Sequence, residues 1–462
     1  MTSEQRFDVV VLGAGMAGLA CAGTLVNRGL RPLLIAETAE VGWNLRAIDV
    51  DGNRGYVQHP MWSVAWGGGW WYRLARELGA NVKFKVAPPV DLWIKGAAPS
   101  KVSVCTSASA VTDLFAAMSP IPLGEARADI ERVVANALAI PYQELIAMDE
   151  VPIAKWLHDQ GADPILQLLI LTFGANICET TTQVAAEHLS AFGVWGMARS
   201  LICGEGPVVC PEPDPWEGLM KPLAVAIEAK GGTIWRGRKA SHVVVEDSRA
   251  VGVELADGTI GYGDAVAVAT GTSRVGKVVR NPGAEVIAAI EHARSLAGED
   301  VCTYTVLDKP VCNIDTYTML SDTDGSAMAF LFPMHKLTPD HVQPGKQFVA
   351  AQGFYTPEQF SALGGTDGAV ARLDAIQEEL FPGYTEATVT QKIQNHKHHW
   401  LGPLLFGPRL PSRDPQIAGL WYAGDGSRPV GGLGVEAAAS AGMIRGEAIA
   451  DDLAARPVAA QQ

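Results

Sequence analysis

Residues 7–37 read FDVVVLGAGMAGLACAGTLVNRGLRPLLIAE, and this stretch decides the fold. Its short, β-branched apolar run, Val9–Leu12, is typical of a strand that is buried on both faces. Three glycines with the spacing G-x-G-x-x-G follow, and a helical pattern then extends over Met16–Arg28 to Gly29, a residue that commonly ends helices. A second apolar run, Pro32–Ala36, predicts the next parallel strand. The stretch therefore predicts a complete βαβ unit.

The glycine motif of this unit predicts a dinucleotide site. Gly13 permits a tight turn, Gly15 lets the backbone approach a pyrophosphate, and Gly18 lets the helix pack close to the strand. The helix N-terminus offers unpaired N–H groups to the phosphates, and an acid after the second strand can hold a ribose hydroxyl. NAD, NADP and FAD all use this motif, so it does not choose among them. The binding residues predicted here are Gly13, Gly15, Met16, Ala17, Gly18 and Glu37.

The composition is that of a globular protein with about two domains, because the chain has 462 residues, of which 48% are hydrophobic. A formal net charge of −14 argues against a nucleic-acid partner, since phosphate binding needs clustered positive charge. The seven cysteines are scattered without a C-x-x-C pair, which predicts reduced thiols and no metal site. No signal peptide or transmembrane segment is recognisable, so we expect a cytoplasmic protein.

The order of the predicted elements indicates a discontinuous fold. Strand–helix patterns typical of a nucleotide domain recur in three separate parts of the chain, and two mixed regions lie between them. A hairpin is predicted over Ala47–Tyr56, and a Pro-rich connection between domains is predicted over Pro207–Trp216. The fold class is α/β, with a Rossmann-like domain and an α+β substrate domain. The predicted limits are 1–80, 217–295 and 400–462 for the nucleotide domain, and 81–216 and 296–399 for the substrate domain.

Aromatic side chains and histidines are the candidates for a substrate pocket. Trp62 and Trp66 lie in a segment rich in tryptophan and glycine, and with Trp400 they are predicted to line the pocket. The helix predicted over Thr182–Phe192 belongs to the same substrate region. The cluster His396–His399 is interpreted as a solvated turn, and His396 and His398 lack an apparent third metal ligand.

The C-terminal segment offers a second polar site, because a strand, Gly424-Asp425, a glycine turn and a helix N-terminus follow one another. Together with the first glycine motif, the turn after Glu37 and the block around Gly231-Gly232, this segment resembles the FAD-dependent flavin amine oxidase and phytoene-desaturase-like superfamily. The resemblance implies a Rossmann-like fold of the GR2 type and FAD as the cofactor. The further cofactor-binding residues that it implies are Gly42, Trp43, Arg46, Val243, Gly424, Asp425, Gly434 and Val435.

Three positions depart from the family pattern. The ribose acid usually falls one place earlier, where this chain has Ala36. The usual Gly-Gly-Arg turn is Gly42-Trp43-Asn44, with the basic residue displaced to Arg46. A glycine common beside the flavin is replaced in Gln58-His59-Pro60, which implies that His59 lies near the ring. Since histidine titrates near neutrality, His59 is a candidate acid–base residue.

Three chemistries suit this superfamily: C–C desaturation, amine oxidation and double-bond isomerisation. We favour desaturation of a small apolar or cyclic substrate, with hydride passing to flavin N5, because residues 427–434 lack the aromatic residue usual in the amine oxidases. Amine oxidation is the alternative, and isomerisation, an NAD(P)-linked dehydrogenase and a flavin-binding protein without activity stay open. The acceptor is expected to be O2 or another oxidant, and the protein a monomer or homodimer. The candidate bases are His59, Tyr384 and the histidines at 396–399.

Overall fold

Within its described residues, the computed structural model contains four sheets and helical layers packed against the two largest of them. Within the part of the chain that it describes, no helix combines the length and the apolar character needed to cross a membrane. The described residues are 6–42, 45–56, 63–64, 69–86, 90–94, 100–102, 107–119, 122–177, 186–197, 208–321, 328–399, 407–424, 426–427 and 434–456.

The strands have the following bounds: β1 Arg6–Leu12, β2 Pro32–Ile35, β3 Ala47–Val50, β4 Asn53–Tyr56, β5 Ser63–Val64, β6 Lys83–Val86, β7 Val90–Ile94, β8 Ser100–Val102, β9 Val208–Glu212, β10 Thr233–Trp235, β11 Ala240–Glu246, β12 Arg249–Leu255, β13 Ile260–Val268, β14 Gly298–Leu307, β15 Thr318–Ser321, β16 Met328–Pro333, β17 Gln347–Tyr355, β18 Thr388–His399 and β19 Leu420–Tyr422.

The α-helices have the following bounds: α1 Met16–Asn27, α2 Trp70–Leu78, α3 Ala108–Met118, α4 Ala126–Ala139, α5 Tyr142–Ala147, α6 Ile153–Asp159, α7 Pro164–Ile177, α8 Ala191–Met197, α9 Lys221–Ala229, α10 Thr272–Val278, α11 Ala284–Ser295, α12 Met334–Leu337, α13 Pro357–Ala362, α14 Thr366–Leu380, α15 Tyr384–Ala387 and α16 Val435–Ala454. A π-helical segment, Trp216–Met220, leads into α9, and short 3-10 turns cover Met148–Glu150 and Pro339–His341.

The first large sheet has a parallel core with β1 at its centre. β1 lies between β2 and β13 and is parallel to both, while β10 extends β2 and β19 extends β13 in the same direction. β12 and β11 continue the sheet from the first half of β13 in antiparallel pairing. Alternate residues of β1 face opposite sides, so Val9 and Val11 pack on the layer of α1, and Val10 and Leu12 pack toward α10 and α11. This arrangement confirms the predicted Rossmann-like βαβ unit.

The second large sheet carries the mixed regions of the chain, in the strand order β18-β14-β17-β16-β15-β7-β8. One face of β14 presents Cys302, Tyr304 and Val306 to the core formed with helices α3 to α8. The other face presents Val301 and Leu307 to the layer of α14 and α15. The α/β fold with a second, α+β part is therefore confirmed.

The predicted hairpin is present as β3 and β4, but it packs against the second sheet. Ile48 and Val50 are buried in the core that β14 shares with α3 to α8. Gly55 lies so close to that sheet that a Cβ atom there would come within 2.9 Å of Phe348 and 3.0 Å of Tyr304. The hairpin thus joins the sheet that lies in the predicted substrate domain, and the domain limits stay a prediction.

Two local predictions were wrong, and a third is untested. The histidine cluster is not a solvated turn, because His396–His399 ends β18 and its backbone pairs with β14. The predicted connection between domains at 207–216 contains β9, which pairs with β5 and β6, and its role as a connection stays a prediction. The helix predicted over Thr182–Phe192 is interrupted, because the backbone at Leu189 and Ala191 hydrogen-bonds to the segment before α6.

Candidate functional site

The candidate dinucleotide site lies at the carboxyl edge of the parallel strands. Ile35 pairs with Leu12, Leu12 with Val268, and Val268 with Tyr422, so β2, β1, β13 and β19 end side by side. The loop after each strand therefore opens at the same edge. In open parallel sheets this edge is where ligands bind.

The glycine motif after β1 shows three different steric requirements. Gly13 has φ +110°, and a Cβ atom there would come within 2.7 Å of the Ala269 carbonyl oxygen after β13. A Cβ on Gly18 would come within 1.7 Å of the Gly13 carbonyl oxygen. Among the described residues, no neighbouring atom lies within 4 Å of a Cβ position on Gly15, the N-cap of α1. The first and last glycines are thus required by packing, whereas Gly15 leaves space over the helix N-terminus.

Two helices present their N-termini at this edge. A Cβ on Gly442 of α16 would come within 2.2 Å of the Ala17 carbonyl oxygen, and a Cβ on Gly446 within 2.7 Å of Thr24. Because these contacts advance together along both helices, α16 runs parallel to α1. It begins at Val435, seven residues before Gly442, and therefore extends roughly 10 Å past the start of α1. Met16 and Ala17 at the start of α1, like Val435, are buried or half-buried there.

The turn after β19 is fixed by a buried arginine. Gly424 is required here, because a Cβ would come within 2.8 Å of the Thr270 carbonyl oxygen. Arg445 of α16 donates from Nε to the Tyr422 carbonyl oxygen at 3.0 Å and from Nη2 to the Ser427 carbonyl oxygen at 3.2 Å. Burial lowers the pKa of Arg445, and nearby Cys21 partly opposes that effect. Arg445 thereby ties the turn to the helix that begins beside it.

The end of β2 is anchored to the segment that leads into β11. Ala36 donates its N–H to the Trp235 carbonyl oxygen at 2.8 Å and accepts from the Arg238 N–H at 2.9 Å. The Ala36 side chain is buried, whereas Glu37 is exposed at the edge of the sheet. Val243 is buried in β11, against the sheet face formed by Leu12 and Ile35. The predicted roles of Glu37 at a ribose and of Val243 at an adenine stay predictions.

The turn after Glu37 is attached to the glycine loop. Gly42 has φ +66°, and its N–H donates to the Ala14 carbonyl oxygen at 2.8 Å. Arg46 follows this turn at the face of the second sheet. Burial lowers the pKa of the Arg46 guanidinium, and Tyr304 of β14 partly opposes this effect. The turn therefore links the nucleotide edge to the second sheet.

The predicted catalytic and pocket residues are only partly covered by the structure. His59, Trp62, Trp66 and Trp400 lie outside the described residues, as do Trp43 and Asp425 of the cofactor set. Tyr384 is described and buried, and its hydroxyl donates to Thr305 Oγ1 at 2.7 Å. Burial raises the pKa of Tyr384 well above its ordinary value. It packs in the layer of α14 and α15, on the face of β14 away from Tyr304, and its catalytic role stays a prediction.

Sequence reasoning missed two residues that organise the edge. Arg445 is one, and its signal was the single basic residue in the small-residue segment 435–454. Glu436 is the other: it is buried in the first turn of α16, and its Oε2 accepts the Trp70 N–H at 2.6 Å. This contact joins the start of α16 to the start of α2. The sequence shows that Glu436 is an acid in the first turn of a helix, but it does not show that the Trp70 N–H is its hydrogen-bond donor.

The geometry of this edge fits a dinucleotide. Gly15 leaves open space in front of the unpaired N–H groups of α1, where a pyrophosphate could approach. The parallel helix α16 starts farther out, where a longer ligand such as FAD would meet a second set of N–H groups. The pyrophosphate contact of Gly13, Gly15 and Gly18 and the distal contact of Gly434 and Val435 stay predictions.

Comparisons with known proteins agree with this architecture. The family model described as an NAD(P)-binding Rossmann-like domain matches residues 11–78. No curated protein matches the chain.

Solved structures match nearly the whole chain at low identity. An oxidoreductase from Methanosarcina mazei is 18% identical with a TM-score of 0.73, covering 96% of this chain and 100% of its own. Wild-type putrescine oxidase bound to putrescine is 14% identical with a TM-score of 0.63, covering 98% and 100%. Cyclohexylamine oxidase from Brevibacterium oxydans is 15% identical with a TM-score of 0.62, covering 97% and 99%. The chain therefore has the fold of the amine oxidase-like oxidoreductases that its motifs resemble.

Proposed function

We propose that this protein is an FAD-dependent oxidoreductase that dehydrogenates a C–C bond of a small apolar or cyclic substrate. The observation that carries the proposal is the pair of parallel helices, α1 and α16, whose staggered N-termini meet the carboxyl edge of one sheet. One helix N-terminus suits any dinucleotide, whereas two staggered ones suit a ligand as long as FAD. The motif resemblance at both ends of the chain supports the same choice.

Different residues of the chain would bind different parts of FAD. The N–H groups of Met16 and Ala17 would bind the pyrophosphate, and Glu37 would hold a ribose. Val243 would pack against the adenine. Gly42 and Arg46, with Trp43, would contact the middle of the cofactor, and Gly424, Asp425, Gly434 and Val435 would hold its ribityl and ring end. When bound, the flavin supplies a two-electron acceptor for hydride from a substrate carbon.

The second sheet would form the substrate side of the site. Its face carrying Tyr304 lies within electrostatic reach of Arg46, so it would be turned toward the part of the cofactor that Gly42 and Arg46 are predicted to contact. Apolar side chains from this core can orient a C–H bond and exclude water. His59 would accept the adjacent substrate proton, and Trp62, Trp66 and Trp400 would line the pocket. Electrons would finally pass to O2 or another oxidant.

Amine oxidation is the second candidate, because putrescine oxidase and cyclohexylamine oxidase share this fold over almost the entire chain. The two candidates differ in what they need at the substrate. An amine oxidase needs groups around a nitrogen, and residues 427–434 offer no aromatic side chain for that purpose. We therefore place C–C dehydrogenation first.

An anaerobic reduction screen tests the proposal. The purified protein is first denatured, and the released cofactor is identified by chromatography and mass spectrometry. FAD is expected, and a colourless protein that takes up no FAD but binds NAD(P) would refute the flavin assignment. The holoprotein is then mixed with saturated cyclic or isoprenoid carbonyl compounds, with their unsaturated counterparts and with amines. Bleaching by the first set alone supports dehydrogenation, bleaching by amines alone supports amine oxidation, and conversion of an alkene without bleaching supports isomerisation.

A further inference from the structure

A compact cluster of three potential metal ligands lies on the second sheet. Asp300 and Cys302 belong to β14, and His396 belongs to the neighbouring strand β18. Asp300 is paired with His396 across the two strands, and Cys302 follows two residues later on the same face. One ligand atom from each side chain lies within 4.8 Å of the other two. Asp300 is 0% exposed and Cys302 3% exposed, and His396 is half-buried.

We propose that Asp300, Cys302 and His396 bind a divalent transition-metal ion, with zinc as the preferred ion. A thiolate, an imidazole and a carboxylate are the ligand types that zinc takes in proteins, and three protein ligands leave a fourth position. Gln394 stands opposite Cys302 on β18, and its buried Oε1 has no hydrogen-bond partner among the described residues. This oxygen or a water would complete four-coordinate geometry.

The side chains around the cluster are arranged to support ligation. Gln352 of β17 donates from Nε2 to both carboxylate oxygens of Asp300, each at 3.0 Å, which fixes the orientation of the carboxylate. Cys302 Sγ donates to Asp300 Oδ1 at 3.4 Å. On metal binding the thiol proton leaves to solvent, and the sulfur forms a bond to the metal in its place. Cys302 is not joined to another described cysteine by a disulfide.

Charge balance favours an ion at this position. A buried carboxylate is costly unless it is compensated, and ionising a neighbouring thiol would add a second buried negative charge. A divalent cation neutralises both, and a neutral His396 adds no charge.

The metal content of the full-length protein tests this proposal. The protein is equilibrated with zinc sulfate, dialysed, and analysed by inductively coupled plasma mass spectrometry. About one zinc per chain is expected for the wild type, with a loss of at least about tenfold in Cys302→Ser and His396→Gln. Cys312→Ser and His335→Gln are matched controls, because each removes a buried or half-buried side chain of the same type from the same sheet region. A wild type without bound zinc, or controls that lose zinc equally, would overturn the proposal.

A thermal measurement keeps the test valid if a variant folds poorly. Added zinc is expected to raise the Tm of the wild type and of both controls, and a chelator to reverse the rise. The Tm of His396→Gln is expected not to respond to zinc. An unchanged wild-type Tm would contradict the site. Flavin content is measured on the same samples, so a failed metal site can be distinguished from a failed flavin assignment, on which this proposal does not depend.

Discussion

Gly15→Ala separates cofactor binding from folding, because Gly15 is the glycine of the motif with open space around its Cβ position. The new methyl group would meet no neighbouring atom of the described residues within 4 Å, and the backbone at φ −78° and ψ −173° suits alanine. The methyl group would instead occupy the space in front of the N–H groups of α1. We therefore expect the variant to fold normally and to bind FAD poorly.

The magnitude follows from the hydrogen bonds that the methyl group displaces. A hydrogen bond to a charged group is worth about 1.5–3 kcal/mol. Losing one such bond between an N–H and a phosphate oxygen weakens binding roughly 10- to 150-fold, since about 1.4 kcal/mol is tenfold. The apoprotein should change little, because replacing glycine at a compatible backbone position shifts stability by no more than about 1 kcal/mol.

Flavin titration and thermal unfolding of apoprotein and holoprotein measure the two effects. Gly18→Ala is the matched control: its Cβ would come within 1.7 Å of the Gly13 carbonyl oxygen, so the apoprotein itself should lose stability. The expected pattern is weak FAD binding with a normal apoprotein Tm for Gly15→Ala, and a lowered apoprotein Tm for Gly18→Ala. Wild-type FAD affinity in Gly15→Ala would refute the placement of the pyrophosphate.

Three further substitutions test other parts of the structure. Tyr384→Phe removes the hydrogen bond to Thr305 and should lower the free energy of unfolding in urea by about 1 kcal/mol, while flavin reduction stays at the wild-type rate. A slower reduction would favour its predicted catalytic role. Arg445→Met leaves two buried carbonyl oxygens without their donor and should cost about 2–4 kcal/mol in the same assay, with reduced FAD content; full FAD content would show that the turn after β19 does not hold the cofactor. Burial lowers the pKa of His335. The neutral ring of His335 can donate to a backbone oxygen and accept from Gln347. Because its pKa is lowered, the native state binds fewer protons than the unfolded chain. Stability should therefore fall as pH drops below about 6.5, and His335→Gln should flatten that slope in urea titrations at several pH values; an equal slope in both proteins would contradict it.

The nucleotide edge could be predicted because its signals are local. The residues of 7–37 specify a buried strand, a glycine turn, a helix and a second strand through periods that span only a few positions. The hairpin Ala47–Tyr56 and the helix from Val435 onward have equally local patterns, and both are present. A local sequence pattern does not indicate which other helix or strand an element packs against. The sequence therefore did not predict that the hairpin packs on the second sheet, nor that Arg445 holds the turn after β19.

β18 shows why part of the second sheet escaped prediction. Its apolar residues face solvent and not the core: Val389 is 50% exposed and Ile393 is 45% exposed. The residues paired with the buried face of β14 are polar instead, namely Gln394 opposite Cys302 and His396 opposite Asp300. In β18 the buried positions are polar and the exposed positions are apolar, so its sequence lacks the usual alternation of apolar core residues and polar surface residues. Its histidines were therefore interpreted as a turn.

That inversion also bears on function. Polar residues that face inward from an edge strand discourage pairing with other chains, which is one reason for a protein to retain them. Protection of the sheet edge, however, requires only polar residues on β18. It does not require His396 opposite the buried Asp300, or Gln394 opposite the buried Cys302. Positions where a strong local rule fails are where functional or strained sites are expected. Gln394 and His396, the inward-facing polar residues that prevented the prediction of β18 from the sequence, are therefore the β18 residues that the proposed metal site uses.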